Sequence, residues 1–426
     1  MMILIVITTL LFMMMSLLWF PTISLFGKKI QAFWLMSLIG AITLLLLHPD
    51  PIHFIQSAWF GNGSMNPIRI LGLFFSFTIL AIFLDEVGLI KYLAYQAIHQ
   101  AGYSQKRLFF IWFWVVAIAT TLTANDIVVL TLTPFIIYVA RHAKVSPLPY
   151  LISQFVSANT WSMLLIIGNP TNIYIARMFQ IDFMNYLQVM ALPTLVTGLS
   201  SLAILYLIFH HHLKQPISKP NMIINPPHDS YRLGLWMLLF AIGFMIVSQW
   251  IGIPMDVLTI LSALILISLL LIFYPRDTHL ANTIRRLPYE MLPFFLSMAI
   301  LVKVFDYVGF TVEFGLWLET FPTLYSYGFT SFIASNFMNN IPMSLWFSNL
   351  LMATESLHVP AMYASIIGSN LGAILTPVGA LAGLMWMRIL KEKQVELSFG
   401  QFVVYGITLG PILLMIALFT LDLIYR

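Results

Sequence analysis

The sequence predicts an all-α polytopic membrane protein made of two inverted repeats, each with five transmembrane crossings, one of them broken, plus one re-entrant helical hairpin. Three observations carry this expectation. First, 60% of the 426 residues are hydrophobic and 8% are charged, with a mean hydropathy of +0.92, whereas about a quarter of a soluble domain is charged. Second, apolar runs long enough to cross about 30 Å of hydrocarbon recur along the whole chain. Third, polar helix-breaking clusters interrupt such runs at matching places in both halves. The net charge of +4 lies mostly in short loops, where it reports topology, so no nucleic-acid partner is expected. The chain has no cysteine, which excludes disulfides and thiolate metal sites, and no cofactor or resident metal is expected.

Taken in order, the first run, 3–20, has no basic segment before it and no small-residue cleavage site, so it reads as a crossing and not a removable leader. Crossings follow at 30–47 and 67–84. Two apolar arms flank Ala124-Asn125-Asp126, so 107–141 reads as a hairpin entering and leaving on one face. The crossing at 147–177 is broken by Gly168-Asn169-Pro170-Thr171-Asn172, and 186–209 completes repeat 1, residues 1–213. Unwound backbone at membrane depth persists only where protein, water or a bound ion satisfies it.

A proline-rich linker, 214–230, leads to repeat 2, residues 231–426. Its crossings are 233–250, 255–273, 289–305, the broken 360–387 and 399–423, with a hairpin over 323–353. The halves match internally. Asp85-Glu86-Val87-Gly88 parallels Asp306-Tyr307-Val308-Gly309, and Asn125-Asp126-Ile127 parallels Asn339-Asn340-Ile341. Asn159 precedes Gly168 by nine residues, as Asn370 precedes Gly379. Five crossings per repeat turn the second upside down. With both termini outside, sixteen of the twenty Lys and Arg fall on the inner face, which sets the orientation in a plasma membrane.

Inverted repeats that meet at polar helix breaks are the signature of secondary transporters. A channel, which needs a continuous lined pore, suits this pattern less well. No phosphate-binding loop and no H-E-x-x-H motif is present, so an ion gradient is the expected energy source and no enzyme activity is expected. Half-helix N-termini favour anions or oxygen-rich neutral solutes, and asparagine offers both donor and acceptor. Asp126 is a carboxylate inside a membrane segment, expected to exchange a proton, or else to cap the following half-helix. Asp85, Glu86 and Asp306 read as gate or interfacial residues. Lys303, His210-His211-His212 and the scattered methionines read as interfacial anchors and packing.

The segments ANDIVVLTLTP, IIGNPTN, FMNNIPMS and GSNLGAILTPVGALAGLMW resemble the signature segments of the ion-transporter superfamily, most of all its arsenical pump membrane protein (ArsB) and NhaD branch, which is related to citrate and divalent-anion symporters. The resemblance implies that Asn125 and Asp126 form one hairpin tip facing the break at Gly168, Asn169, Thr171 and Asn172. It implies that Asn339 and Asn340 form the other, facing Thr376 and Gly379, with Asn159 and Asn370 beside them. The sodium-coupled dicarboxylate branch carries Ser-Asn-Thr at each tip. Here Ala124-Asn125-Asp126 and Met338-Asn339-Asn340 replace it, which favours H+ over Na+ as coupling ion. The implied function is proton-coupled efflux of arsenite or antimonite by alternating access. Sodium-coupled di- or tricarboxylate symport and sodium/proton antiport are the alternatives. The implied partners are a small anion or oxyacid, the lipid bilayer, a second copy of the chain and a possible cytosolic ATPase subunit.

Overall fold

The computed structural model describes residues 1–20, 22–25, 28–60, 67–102, 104–215, 217, 225–353 and 359–426. It is helical nearly throughout, as lipid demands of backbone that must pair within its own segment. Helix α1 (Met2–Trp19) is followed by two short antiparallel strands, β1 (Thr22–Leu25) and β2 (Lys28–Gln31), with Ile23 opposite Ile30. The sequence pattern does not reveal these strands, and they delay the expected start of the second crossing, which runs as α2 (Ala32–Leu47). A short α3 (Pro51–Trp59), capped by Asp50, precedes α4 (Pro67–Glu86) and α5 (Leu89–His99). Next come α6 (Gln105–Leu122), α7 (Asn125–His142), α8 (Leu148–Trp161), α9 (Pro170–Met178) and α10 (Phe183–Phe209). Residues 216 and 218–224 of the proline-rich linker lie outside the described residues.

Beyond the linker the order continues with α11 (Tyr231–Ile251), α12 (Met255–Phe273), α13 (His279–Arg285), α14 (Met291–Tyr307) and α15 (Phe310–Glu319). It ends with α16 (Thr323–Met338), α17 (Asn340–Ala353), α18 (Val359–Leu375), α19 (Leu381–Glu392) and α20 (Phe399–Tyr425). Among the described residues, Ile68–Glu86, Gln105–Leu122, Phe183–Phe209, Asp256–Phe273 and Phe399–Tyr425 are long and apolar enough to cross a membrane, and Met2–Ser16, Ala32–Leu47, Tyr231–Val247 and Val359–Leu375 are shorter apolar helices. The chain is a multi-pass membrane protein. Helices α4 and α14 each end at a left-handed glycine, Gly88 (φ 85°) and Gly309 (φ 80°), a conformation that a Cβ opposes. At the second of these α14 turns into α15 at 75°.

Packing sorts the helices into two groups. One contains α1, α2, α3, α4, α11, α12, α13 and α14, and the other α6 to α10 and α16 to α20. They meet where α14 packs on α17, α4 on α7 and α9, and α1 on α16. Within the second group, Trp112 Nε1 donates to Tyr150 O (3.1 Å) and Ser157 Oγ to Phe113 O (3.2 Å), which aligns α6 with α8. Gln154 Nε2 donates to Val129 O (3.0 Å) and Asn125 Nδ2 to Asn159 Oδ1 (3.2 Å), which runs α7 the opposite way. Helices α6 and α7 therefore run antiparallel to each other on either side of Thr123-Ala124. Helices α16 and α17 pack together on either side of Asn339, with Tyr327 and Phe347 ring centroids 6.1 Å apart. Helices α16 and α18 approach so closely that a Cβ at Gly368 or Gly372 would overlap Ser331 or Ser335 Oγ. This is small-residue packing, which holds membrane helices together where lipid supplies no hydrophobic drive.

Candidate functional site

Several helices begin inside the broken stretches. Helix α7 starts after extended Ala124 (φ −146°, ψ 148°) and α9 after Asn169, whose Oδ1 accepts from Thr171 N and Oγ1, both at 3.1 Å. Helix α17 starts after Asn339, whose φ of 74° and ψ of 156° lie in a region that essentially only glycine occupies, at a cost of about 1–3 kcal/mol. Thr376 Oγ1 accepts from Val378 N at 3.2 Å, opening a single 3-10 turn (Pro377–Gly379) before α19. Helix N-termini present N–H groups without helical partners and carry partial positive charge.

The two broken stretches are joined through Asn370, which is fully buried. Its Oδ1 accepts from Ser162 Oγ (2.8 Å) and Asn169 Nδ2 (2.9 Å). Its Nδ2 donates to Asn172 Oδ1 (2.7 Å) and Ile366 O (2.8 Å). Asn172 Nδ2 in turn donates to Ser162 O (2.8 Å) and Leu165 O (3.2 Å), pairing carbonyls that the break releases. Gly168 packs on Ser162, and Gly379 faces Gly372 and Ala373. The side chains hydrogen-bonded to Asn370, those of Ser162, Asn169 and Asn172, are uncharged.

At the first hairpin tip Asn125 bonds to Asn159, in the last turn of α8, while Asn169 and Asn172 of the break bond to Asn370. Asp126 donates its N–H to Asn125 Oδ1 (2.8 Å) and lines a cavity of about 510 Å³. Thr78, Thr131, Arg286 and Glu290 share that cavity. At the second tip Asn339 Nδ2 donates to Val378 O at 3.3 Å, and Asn340 is buried beside it. Sequence reasoning missed Ser162 and Asn336. Asn336 Nδ2 donates to Gly372 O (3.0 Å) and its Oδ1 accepts from Thr376 Oγ1 (2.6 Å). Asn336 sits just ahead of the Met338-Asn339-Asn340 tip, and that proximity was the available signal.

Charged groups link the two helix groups near their ends. Asp85, buried, accepts from Thr131 Oγ1 of α7 (2.9 Å) and from Arg286 (2.6 Å), while Glu86 accepts from Arg286 (2.6 Å) and Asn282 (3.0 Å). Burial would push the Arg286 guanidinium down, but the Asp85 carboxylate and hydrogen bonds to Glu86 and Asp85 hold it above its ordinary value. Asp306 accepts from Asn349 of α17 (2.8 Å), Thr311 (2.6 Å) and Lys303 (3.4 Å) and lines a second cavity of about 370 Å³ with Tyr174. Lys303 thus pairs in a cavity wall instead of only anchoring at an interface. Asp256 of α12 is flanked by Arg177 of α9 (2.6 Å) and Arg69 (2.9 Å). The His210 and His211 rings meet at the end of α10, tilted by 41° with centroids 3.8 Å apart.

Residues 1–358 match the citrate transporter family (CitMHS). The arsenical pump membrane protein of Escherichia coli (strain K12) is 28% identical over 414 residues, spanning 90% of this chain and 92% of its own. That of Yersinia enterocolitica is 27% identical over 419 residues, spanning 92% and 93%. Among solved structures, the YdaH transporter of Alcanivorax borkumensis superposes with a TM-score of 0.60 over 99% of this chain and 97% of its own, at 14% identity, which is a likeness of fold.

Proposed function

The chain belongs to the citrate transporter (CitMHS) family, and from that premise we propose that it is a secondary transporter exporting arsenite or antimonite in exchange for protons. What carries this choice of substrate is the chemistry around Asn370. The buried side chains there are Asn, Ser and Thr. They offer donors and acceptors without a fixed cation. Arsenite is largely an uncharged trihydroxide at neutral pH, and neutral hydroxyls fit such a surface. A tricarboxylate carries several negative charges and would gain from a free cation beside it, whereas Arg286, which lines the Asp126 cavity, is committed to Asp85 and Glu86. The relatives named arsenical pump membrane protein favour the same substrate class.

Within this proposal, 1–213 and 231–426 are inverted repeats, both termini lie outside, and Asn125, Asp126, Asn339, Asn340 and the broken stretches bind substrate and coupling ion. Asp126 takes up a proton from the 510 Å³ cavity and releases it on the other side as α6 to α10 and α16 to α20 move against the remaining helices. Polar contacts between the groups, Thr131–Asp85 near one end and Asn349–Asp306 and Arg177–Asp256 near the other, are the latches exchanged in that movement. A sodium-coupled tricarboxylate symporter is the second reading, favoured by the family description.

Everted vesicles containing the purified chain decide between them. Arsenite accumulation driven by an acid interior, without citrate transport, is expected, and also makes an ATPase subunit dispensable. Citrate movement driven by sodium, with no arsenite movement, overturns the choice of substrate while leaving the family intact.

A further inference from the structure

Away from the breaks, His228, Asp277 and His279 gather where the end of the linker meets the loop after α12, with their ligand atoms all within 4.8 Å of one another. His279 Nδ1 contacts Asp277 Oδ1, and His228 Nδ1 lies 3.5 Å from Asp277 Oδ2. The imidazole rings face each other with centroids 4.7 Å apart at 36°. Backbone bonds fix each residue: His228 N–H donates to Val87 O (3.0 Å), Asp277 N–H to Tyr274 O (2.9 Å) and His279 N–H to Asp277 Oδ1 (2.9 Å). Ser230 Oγ stands 2.8 Å from His228 Nδ1 and donates to Asp277 Oδ2 at 3.3 Å. The carboxylate side chain is 8% exposed and that of His228 is 42% exposed, so the anion is sheltered and a path from solvent is open.

One imidazole on a carboxylate is an ordinary hydrogen bond. Two imidazoles from separate segments that present Nδ1 to the same carboxylate, ring against ring, form a set of two nitrogens and one oxygen. Two protonated rings at this spacing would repel each other. A bound cation uses both neutral rings as lone-pair donors and is partly neutralised by Asp277. We propose that His228, Asp277 and His279 form a binding site for a divalent transition-metal ion, of which Zn2+ is the best fit, with the Ser230 hydroxyl or a water in the fourth position. Imidazole ligands select zinc and its neighbours over calcium and magnesium, which take oxygen ligands. Metal–ligand distances of about 2.0–2.2 Å require the atoms to draw together, and the half-exposed His228 side chain is free to swing inward. The ion ties the end of the linker to the loop after α12, while the His228 N–H holds the same residue to Val87, next to Asp85 and Glu86 at the end of α4.

The test uses the full chain, purified through a tag without histidine, stripped by a chelator and titrated with Zn2+ against a chromophoric competitor. One Zn2+ per chain is expected, with affinity falling by at least about tenfold in both His228→Ala and His279→Ala. Co2+ in place of Zn2+ is expected to give visible d–d absorption in the unmodified chain only. His228→Ala keeps the backbone bond to Val87 and removes only a half-exposed side chain, so its unfolding midpoint without metal should stay close to that of the unmodified chain, and a loss of binding there is not a loss of fold. Absence of stoichiometric binding, or binding equally tight in both variants, overturns the proposal.

Discussion

Replacing Asn370 by alanine tests the junction between the broken helices most severely. The side chain makes three interhelical hydrogen bonds, at 2.8 Å to Ser162, 2.9 Å to Asn169 and 2.7 Å to Asn172. Bonds between membrane helices average about 0.6 kcal/mol and reach about 1.7 kcal/mol, so the three sum to about 2–5 kcal/mol. Ser162 Oγ keeps its bond to Asn159 O and Asn172 Nδ2 keeps its two carbonyls, which places the expected loss toward the lower half of that range. Asn125→Ala breaks one interhelical bond, to Asn159, which by the same scale costs about 0.6–1.7 kcal/mol, and also removes the acceptor of the Asp126 N–H. Reversible unfolding in mixed micelles, followed by tryptophan fluorescence, reads both. A double-mutant cycle with Asn172→Ala should return a coupling of about 1 kcal/mol. An Asn370→Ala protein as stable as the unmodified chain, or no coupling to Asn172, would refute the view that this residue joins the two breaks.

Other perturbations follow from the same geometry. Asn339→Gly relieves the strained tip, which offsets its loss of the bond to Val378 O, and should unfold close to the unmodified chain, whereas Asn339→Ala keeps the strain, loses the same bond and should fall by about 1–3 kcal/mol in the same unfolding assay. Asp256→Ala leaves Arg177 half-buried without its partner, and a loss of about 3–5 kcal/mol is expected, measurable as a lower yield of folded protein by size-exclusion chromatography. Gly372→Ala forces a methyl into Ser335 Oγ and should cost about 1–3 kcal/mol. Ser335→Gly in the same chain should restore only part of it, because Phe332 O stays 2.8 Å from the new methyl, and an unfolding midpoint checks this.

The breaks were legible because proline, glycine and asparagine inside apolar runs leave helical backbone no continuous path, and α7, α9 and α17 do begin there. The two helix pairs, α6 with α7 and α16 with α17, follow from apolar arms around a polar centre. What the residues could not convey is which asparagine meets which. Asn159 and Asn370 occupy matching places in the sequence, yet the first bonds to its own hairpin tip and the second to the opposite broken stretch. Asn336 lies within a helix just ahead of the second tip, and its part emerges only from Gly372 and Thr376, far along the chain. Pairing of Arg177 with Asp256 was hidden for the same reason, since charge counting places residues on a face without naming their partners. Strands β1 and β2 were missed because four-residue segments between apolar helices carry little periodic signal.

The most direct test of proton-coupled arsenite export is arsenite uptake into everted vesicles with an imposed acid interior, comparing the unmodified chain with Asp126→Asn. Accumulation that follows the pH gradient in the unmodified chain, and downhill arsenite movement that ignores it in Asp126→Asn, is the predicted result. A full response to the gradient in Asp126→Asn would contradict the assignment of the coupling proton to that carboxylate.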